Sequence, residues 1–434
     1  MKCSNDITER EAIRLRTERE SGLKENEIEN ALRRMVEQYD LREKKVLLLP
    51  PDYTRFFSGV GQVTSMCYQI LRDKQCVLDI MPALGTHLPM TETEIMEMFG
   101  WCVPAEKVLV HDWRNDVVAI GSIPASFVCA CTNGQFDEEI SIEINKRLAD
   151  GSYDHIISIG QVLPHEVMGM ANYTKNILVG CGGVGMIPIT HQIAAVAGVR
   201  NVVGVVNSPV RRLFQYAEEH ELAKLPLTYI LTVSSPWKGM NRFRGIYIGR
   251  GKKLFEDAAH HSENVNITTL PKKQKTVVAW MDPGEYKTVW VANKAIYRTC
   301  LALEEGARLV IIAPGVFRFG EDLDNDKLIR KYGYWGKDKL LTLMGEQQEL
   351  RENSSVVAHL LQGSPERHFE VIYASDNITD AEFEHVGYKH MPLDMAERVY
   401  GPFIKEDGIY LTSDGEEYMW LSHPGAGLWR AEMK

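Results

Sequence analysis

The sequence predicts a two-domain α/β protein in which each domain has a mainly parallel open sheet flanked by helices. Three observations predict this fold class. The chain has 434 residues, more than one ordinary hydrophobic core accommodates. Short apolar runs alternate with helical stretches, which is typical of parallel sheets with crossover helices. Polar turns that contain glycine and histidine follow several of these runs, where open parallel sheets bind ligands.

The first half of the chain shows this alternation most clearly. Its opening thirty or so residues are charged and predict helix. Further along, apolar runs predict strands and amphipathic stretches predict helices. The strands are Lys45–Pro50, Cys76–Leu84, Lys107–His111 and Tyr153–Gly160, and the helices are Glu27–Tyr39, Gly61–Arg72 and Thr91–Phe99.

A polar segment over residues 262–274, which ends rich in lysine, predicts a domain boundary near residue 265. We therefore expect an N-terminal catalytic domain over residues 1–265 and a C-terminal α/β domain over residues 266–434. We expect the active site in the cleft between them, because ligand sites favour domain interfaces.

The second domain has its own strand and helix signals. These are a strand over Thr276–Met281, a helix over Trp290–Glu305 and a strand over Ala307–Ala313. The segment beyond Tyr410 contains two tryptophans whose exposure is unfavourable, so we expect it to be ordered and able to pack back on the first domain.

Composition excludes several classes of protein. A formal net charge of −10 argues against a general nucleic-acid binder. There is no apolar stretch of about 18 residues that would predict a membrane span. The polar N-terminus lacks the apolar core of a signal peptide, which favours a cytoplasmic protein. The eight scattered cysteines form no C-x-x-C pair, and we expect reduced, mostly buried thiols.

The segment from His165 to His191 is the most informative for function. Two histidines bracket Lys175 and a glycine-rich stretch whose amides could approach an anion, although no Walker pattern is present. The dipeptide His165-Glu166 lacks a second histidine four residues later, so the zincin motif fails. On composition alone, a turn-rich connection with a solvated lysine is the favoured explanation.

Other candidates have ordinary structural explanations when each is taken alone. Asp52 and Arg55 could form an ion pair that closes a turn. His87 could be a hydrogen-bonded loop histidine, and Lys294 could be a lysine on the solvent face of a helix.

Together, these segments resemble the nickel-dependent lactate racemase family. The resemblance covers roughly residues 45–320, and its most specific part is the spacing of His165 and His191, ten residues before and sixteen residues after Lys175. The residues that carry it are Asp52-Tyr53-Thr54-Arg55, Gly85-Thr86-His87, His165, Lys175, His191 and Lys294.

The resemblance implies a covalently attached nickel-pincer nucleotide, a pyridinium thioamide thiocarboxylic acid mononucleotide. It implies that Lys175 carries this cofactor and that His191 is the nickel ligand. A square-planar site with soft sulfur donors and an imidazole suits Ni(II). Separate cofactor-biosynthesis proteins would be needed as loading partners.

The resemblance also implies the reaction, which inverts C2 of a 2-hydroxy carboxylate by hydride transfer to and from the cofactor. The α-hydrogen is very weakly acidic, so its removal as hydride is easier when a base takes the hydroxyl proton. His87 and His165 match the catalytic bases of the family. The residues implied to bind substrate are Asp52, Arg55 and Lys294, because cations suit a carboxylate and Asp52 can orient Arg55 or another polar group.

One segment and one single position depart from the lactate-acting pattern. Residues Met170–Thr174 stand where those members have small, glycine-rich residues, and Val291 stands where they tend to have glutamine. We therefore favour a sugar acid, an aldonate such as gluconate or mannonate, as the substrate. The candidates for binding its hydroxyls are Asn172, Tyr173, Glu285 and Asn293.

Three alternatives remain open. The substrate could be lactate or another short or aromatic 2-hydroxy acid. The chain could be a catalytically silent relative that binds a cofactor or ligand. A zinc hydrolase using His87, His165 and His191 is also conceivable, although it leaves Lys175 and Lys294 without a role. The oligomeric state is not indicated by the sequence.

Overall fold

The structure is a computed structural model that describes residues 11–238, 240–366, 368–425 and 427–432. It divides into two compact units. Unit 1 holds the described residues up to Thr190 together with Gly204–Asn266. Unit 2 holds His191–Val203 and the described residues from Ile267 onward.

The secondary structure of unit 1 alternates between strands and helices. Its strands are β1 (Ile13–Arg16), β2 (Lys45–Leu49), β3 (Val77–Ile80), β4 (Val117–Ile123), β5 (Ile140–Asn145), β6 (His155–Gln161), β7 (Pro164–His165), β8 (Gly169–Met170), β9 (Leu227–Trp237) and β10 (Met240–Gly249). Its helices are α1 (Glu25–Gln38), α2 (Val60–Asp73), α3 (Glu92–Phe99), α4 (Ala125–Cys131), α5 (Lys146–Ala149), α6 (Thr174–Leu178), the start of α7 (Ile187–Ala197, which continues into unit 2), α8 (Pro209–His220) and α9 (Lys252–Asn266).

The main sheet of unit 1 has the order β1-β10-β9-β6-β2-β3. Strands β9, β6, β2 and β3 run parallel, whereas β1 and β10 pair antiparallel. The run Val46-Leu47-Leu48-Leu49 is apolar at successive positions because both faces of this strand are covered. Val46 and Leu48 belong to a buried cluster with residues of α1 and α2. The mainly parallel sheet predicted for this part of the chain is confirmed.

Three local predictions in unit 1 are wrong. Residues 13–16 form a strand rather than helix, because they pair with β10. The segment Lys107–His111 forms only an isolated bridge at Val108, to Ile80 of β3. The strand expected over Cys76–Leu84 is limited to Val77–Ile80. The helix expected over residues 1–10 lies outside the described residues.

Helix α7 carries the chain from one unit into the other. The division after Asn266 lies beside the boundary expected near residue 265, but residues 191–203 group with unit 2. No change of composition marks this short excursion in the sequence. Lys175 therefore belongs to unit 1 and His191 to unit 2.

Unit 2 contains a second six-stranded sheet with the order β15-β14-β13-β12-β17-β16. All its strand pairs are parallel except that of β16 with β17. The strands of this unit are β11 (Ile267–Leu270), β12 (Gln274–Trp280), β13 (Leu303–Ile312), β14 (Phe369–Ala374), β15 (Lys389–Met391), β16 (Gly408–Leu411), β17 (Glu417–Leu421) and β18 (Leu428–Ala431). Its helices are α10 (Val289–Ala292), α11 (Lys294–Thr299), α12 (Leu323–Tyr332), α13 (Lys337–Glu346), α14 (Gln348–Glu352), α15 (Ser354–Gly363), α16 (Asp380–His385) and α17 (Leu393–Tyr400).

The helix expected over Trp290–Glu305 is wrong in its extent. The structure has two short helices, α10 and α11, that meet at Asn293, and β13 already begins at Leu303. The Asn293 side chain is fully buried and bonds to the hydroxyls of Tyr373 and Tyr388. This tertiary anchoring overrides the helical pattern of the segment.

The C-terminal segment supplies strands of unit 2. Strand β17 lies next to β12 in the main sheet, and β18 pairs with β11. Trp420 is fully buried in the core cluster of this unit, which explains why the segment is ordered.

Two findings concern the class of protein. Among the described residues, no helix is both long enough and apolar enough to cross a membrane. The seven described cysteines are free thiols, four of them buried and three half-buried.

A buried ion pair in unit 1 gives a test of the fold. Arg250 Nε donates to Glu218 Oε1 at 2.6 Å, and Tyr229 donates to Glu218 Oε2 at 2.7 Å. We expect Arg250→Met to lower the free energy of unfolding by about 3–5 kcal/mol, because it leaves a buried carboxylate without its cation. Urea unfolding measures this loss. Adding Glu218→Gln to Arg250→Met should recover part of the lost free energy of unfolding. A loss below about 1 kcal/mol in Arg250→Met alone would contradict the burial of the pair.

Candidate active site

Three polar loops of unit 1 meet at one edge of the sheet. Asp52 and Arg55 follow β2, His87 follows β3, and His165 follows β6. These strands are neighbours and run parallel, with the order β6-β2-β3. Their carboxyl ends therefore lie at the same edge, as expected from the sequence.

Asp52 and His87 form a hydrogen-bonded pair. The distance between Asp52 Oδ2 and His87 Nδ1 is 2.7 Å, and Thr54 donates to Asp52 Oδ1 at 2.6 Å. Burial alone would raise the pKa of Asp52, but the bonds from His87 and Thr54 and the charge of Arg55 outweigh it and lower the pKa. The ionised carboxylate is buried, whereas just over half of the His87 side chain is exposed. Asp52 therefore orients a side chain as predicted, and that side chain is His87.

His165 lies in the β7–β8 hairpin and has different partners. Its Nδ1 accepts hydrogen bonds from the amides of Val167 at 3.1 Å and Met168 at 3.4 Å. Glu166 Oε2 lies 3.8 Å from the same nitrogen. Because Nδ1 is an acceptor, the neutral ring carries its proton on Nε2.

The two histidines therefore have opposite tautomers. Asp52 fixes the proton of His87 on Nδ1 and leaves Nε2 as a proton acceptor. His165 instead presents Nε2–H. To hold a second proton, its Nδ1 must leave the two amides, and the Glu166 carboxylate is the nearby group that can receive the new N–H.

Lys175 lies in the short helix α6, which is tied directly to the sheet. The side chain of the next residue, Asn176, donates to the carbonyl of Leu49 at 2.8 Å and to the hydroxyl of Ser158 at 3.0 Å. These contacts hold the helix against the end of β2 and the middle of β6. Lys175 itself is half-buried.

The surroundings of Lys175 favour its neutral amine. Burial lowers the pKa of Lys175 to about 8, and the positive charges of Arg55 and Arg211 act in the same direction. Glu166 and Asp52 oppose the shift. A lysine with this pKa has a substantial neutral, nucleophilic fraction near neutral pH, unlike a solvated lysine.

The glycine-rich stretch after α6 packs closely against its neighbours. A Cβ at Gly182 would lie 1.9 Å from the carbonyl oxygen of Leu178. His111, which the sequence did not single out, is buried and bonds through Nε2 to the carbonyl of Gly182. The amide of Gly185 donates to the Glu143 carboxylate at 2.8 Å, so a protein side chain occupies one amide that was expected to be available to an anion.

The other predicted site residues belong to unit 2. His191 is half-buried in α7. Lys294 begins α11, and its Nζ lies 5.8 Å from the centroid of the Tyr286 ring. Within the part of the chain that the structure describes, no three His, Cys, Asp or Glu side chains are arranged to hold a metal ion by themselves.

Three of the residues proposed to bind substrate hydroxyls have structural contacts instead. Asn293 and Tyr173 are fully buried, and Asn172 is almost so. Asn172 Oδ1 accepts from the amide of Tyr173, and Asn293 bonds to tyrosine hydroxyls. Glu285 is exposed. Sequence reasoning missed Asn176 and Arg211, whose contacts with distant backbone groups leave no local pattern.

The comparisons with known proteins begin with a family model. Residues 5–203 match the model described as the lactate racemase N-terminal domain. The N-terminal part of this chain is therefore similar to the N-terminal domain of lactate racemases. The resemblance inferred from the sequence is confirmed at this level. A search of curated proteins gave no match.

Solved structures extend the likeness over nearly the whole chain. A crystal structure of a Thermotoga maritima protein from a structural genomics consortium is 25% identical, with 96% of this chain and 100% of that chain covered and a TM-score of 0.78. The lactate racemase apoprotein from Thermoanaerobacterium thermosaccharolyticum is 18% identical, with 93% of each chain covered and a TM-score of 0.66. The second likeness shows the fold alone, and it confirms the predicted fold class.

The tautomers give a first test of this site. We expect nitrogen-15 NMR of the apo protein to show His87 protonated on Nδ1 and His165 on Nε2. Asp52→Asn should raise the Nε2–H fraction of His87, because the amide lacks the charge that favours Nδ1–H. Asp112→Asn is the control, because Asp112 accepts its hydrogen bond from Asn115 in another loop. A wild-type His87 protonated mainly on Nε2 would contradict the assigned pair.

The lowered pKa of Lys175 gives a second test. Below about pH 8, folding places a charged lysine in a partly buried position, so Lys175→Met should raise the thermal unfolding midpoint. The gain should shrink as the pH rises from about 8 to 10.5, because the folded lysine is then already neutral. Exposed Lys44→Met is the matched control. An equal gain at pH 7 and above pH 10.5 would show that charge is not the cause.

Proposed function

We propose that this protein is a racemase or epimerase that inverts C2 of a 2-hydroxy carboxylate, with an aldonate such as gluconate or mannonate as the favoured substrate. The family match supports the reaction class. The observation that carries the proposal is the arrangement of the Asp52–His87 pair and Arg55 at the same sheet edge as a half-buried lysine whose pKa is about 8.

The residues present fit a covalently attached nickel-pincer nucleotide. A partly neutral amine, anchored to the sheet through Asn176, suits Lys175 as the attachment point. His191 would be the nickel ligand, as the family resemblance implies. When bound, this group supplies the acceptor and donor of the substrate's C2 hydride.

The chain's own residues would handle the proton of the substrate hydroxyl. His87 would accept it at Nε2 while the ionised Asp52 stabilises the imidazolium. For the opposite face, His165 would act from its doubly protonated form, with Nδ1–H beside the Glu166 carboxylate, and would donate its Nε2 proton to the substrate oxygen. The two histidines then alternate between acid and base as the reaction runs in either direction.

Arg55 is the cation in unit 1 proposed to bind the substrate carboxylate. It lies in the 3-10 turn Tyr53–Ser58 and its side chain is exposed. A guanidinium suits a carboxylate because it donates two parallel hydrogen bonds. Lys294 is proposed as a second cation for the substrate. Asp52 supports binding indirectly, since its carboxylate is already paired with His87.

The exposed side chains near the Asp52–His87 pair bear on which of two substrate classes the site would bind. Thr86 is exposed next to His87, and its hydroxyl favours a polyol acid. Phe57 and Leu88 are also highly exposed and follow Arg55 and His87 closely in the sequence. They favour the alternative, a short or aromatic 2-hydroxy acid.

Activity on a substrate panel tests the proposal. Enzyme produced with the cofactor-making proteins is incubated with gluconate, mannonate, lactate and phenyllactate, and C2 inversion is followed by NMR and chiral chromatography. We expect inversion of an aldonate, and His87→Ala should reduce it at least about 100-fold. His260→Ala, at an exposed histidine, should leave it unchanged. Inversion of lactate but not of aldonates would select the alternative, and no inversion by loaded enzyme would contradict both.

A further inference from the structure

Arg211 is a buried arginine that the proposed reaction does not use. It is the third residue of α8 and is only 3% exposed. Among the described residues, no carboxylate lies within ion-pair distance of its guanidinium. Burying an unpaired cation is unfavourable, so this position calls for a compensating role. Burial lowers the pKa of Arg211 to about 10, which still leaves it charged at neutral pH.

The hydrogen bonds of Arg211 converge on the turn that precedes Lys175. Its Nη1 donates to the hydroxyl of Thr174 at 2.9 Å. Its Nη2 donates to the carbonyls of Met170 and Asn172. The guanidinium also lies over the ring of Phe255, 4.3 Å from its centroid. One side chain therefore contacts three of the five residues immediately before the lysine.

This turn has an unusual backbone conformation that needs such support. Asn172 and Tyr173 are consecutive non-glycine residues with φ angles of 64° and 59°. Positive φ is uncommon outside glycine, and for a bulky residue such as tyrosine it is a genuine outlier. The Tyr173 ring is held by packing against Tyr229 and Phe255. Asn172 fits only because residue 160 is glycine, since a Cβ there would lie 1.5 Å from Asn172 Nδ2.

The charge of Arg211 also acts on Lys175. The charged groups that influence the lysine are Arg55 after β2, Asp52 on the same loop, Glu166 in the β7–β8 hairpin and Arg211 on α8. Arg55 is exposed and free to serve a substrate, whereas Arg211 is fixed by its hydrogen bonds. A buried charge is also screened less by salt than an exposed one. Arg211 is thus the permanent positive charge near the amine.

We propose that Arg211 is the positioning residue of Lys175. It holds the turn of residues 170–174, in which Asn172 and Tyr173 have positive φ, directly before the helix that carries the lysine. Its buried positive charge also favours the neutral, nucleophilic amine. The identity of the group that the amine takes up rests on the proposed function. The action of Arg211 on Lys175 does not, because it is a property of the protein without cofactor.

Competitive labelling of the full-length apo protein with acetic anhydride tests this role. The acetylation of the Lys175 peptide is followed by mass spectrometry between pH 6 and pH 11. The midpoint is the pH at which half of the Lys175 amine is neutral. In Arg211→Met we expect the midpoint to rise by about 0.3 pH unit, which lowers the neutral fraction near neutral pH about twofold. Arg212→Met is the matched control, because the adjacent arginine bonds to the carbonyl of Cys131 instead.

A second variant keeps the test decisive if Arg211→Met does not fold. Thr174→Val preserves the shape of the side chain but removes the acceptor of Arg211 Nη1, and it should shift the midpoint in the same direction by a smaller amount. Thermal unfolding of each variant establishes that it is folded. A folded Arg211→Met, or failing that Thr174→Val, with the wild-type midpoint would overturn the proposal.

Loading of the cofactor separates this inference from the proposed function. In cells that make the cofactor, Arg211→Lys should show a lower fraction of adduct by intact mass than wild type, because a lysine does not reproduce the planar donor geometry. Full adduct in Arg211→Lys would contradict the positioning role. If the wild type itself carried no adduct, the proposed function would fail, while the apo labelling would still decide the role of Arg211.

Discussion

The candidate site depends on the partial burial of one lysine amine. Desolvation and the charges of Arg55 and Arg211 lower the pKa of Lys175 to about 8. Two unfavourable features accompany this arrangement: a buried guanidinium without a carboxylate partner, and two consecutive residues at positive φ. Such unfavourable features persist where the surrounding structure enforces them, and they cluster at functional sites.

The parallel sheet of unit 1 holds the site residues in this arrangement. Strands β6, β2 and β3 bring their carboxyl ends to one edge, where Asp52, His87 and His165 follow. The side chain of Asn176 bonds to the end of β2 and the middle of β6, so the helix of the lysine is fixed to the strands that precede Asp52 and His165. The arrangement also makes the two histidines different, because a carboxylate binds Nδ1 of His87 and backbone amides bind Nδ1 of His165.

The sequence predicts those parts of this arrangement that are encoded locally. Apolar runs mark β2 and β6, and the turns after them mark Asp52 and His165. Residues whose role comes from distant partners escape local patterns. Strand β1 forms only by pairing with β10, the helix over residues 290–305 breaks because Asn293 bonds to tyrosines far along the chain, and Arg211 looks like any arginine on an amphipathic helix. The spacing of His165, Lys175 and His191 is informative only through its resemblance to a family.

The most direct test of the central claim is peptide mapping, with metal analysis, of protein produced together with the cofactor-making enzymes. If Lys175 is the attachment point, the peptide that contains it carries a covalent adduct, and the protein holds about one nickel per chain. Unmodified Lys175 without nickel, in protein from cells shown to load a known lactate racemase, would contradict the account and favour a catalytically silent relative.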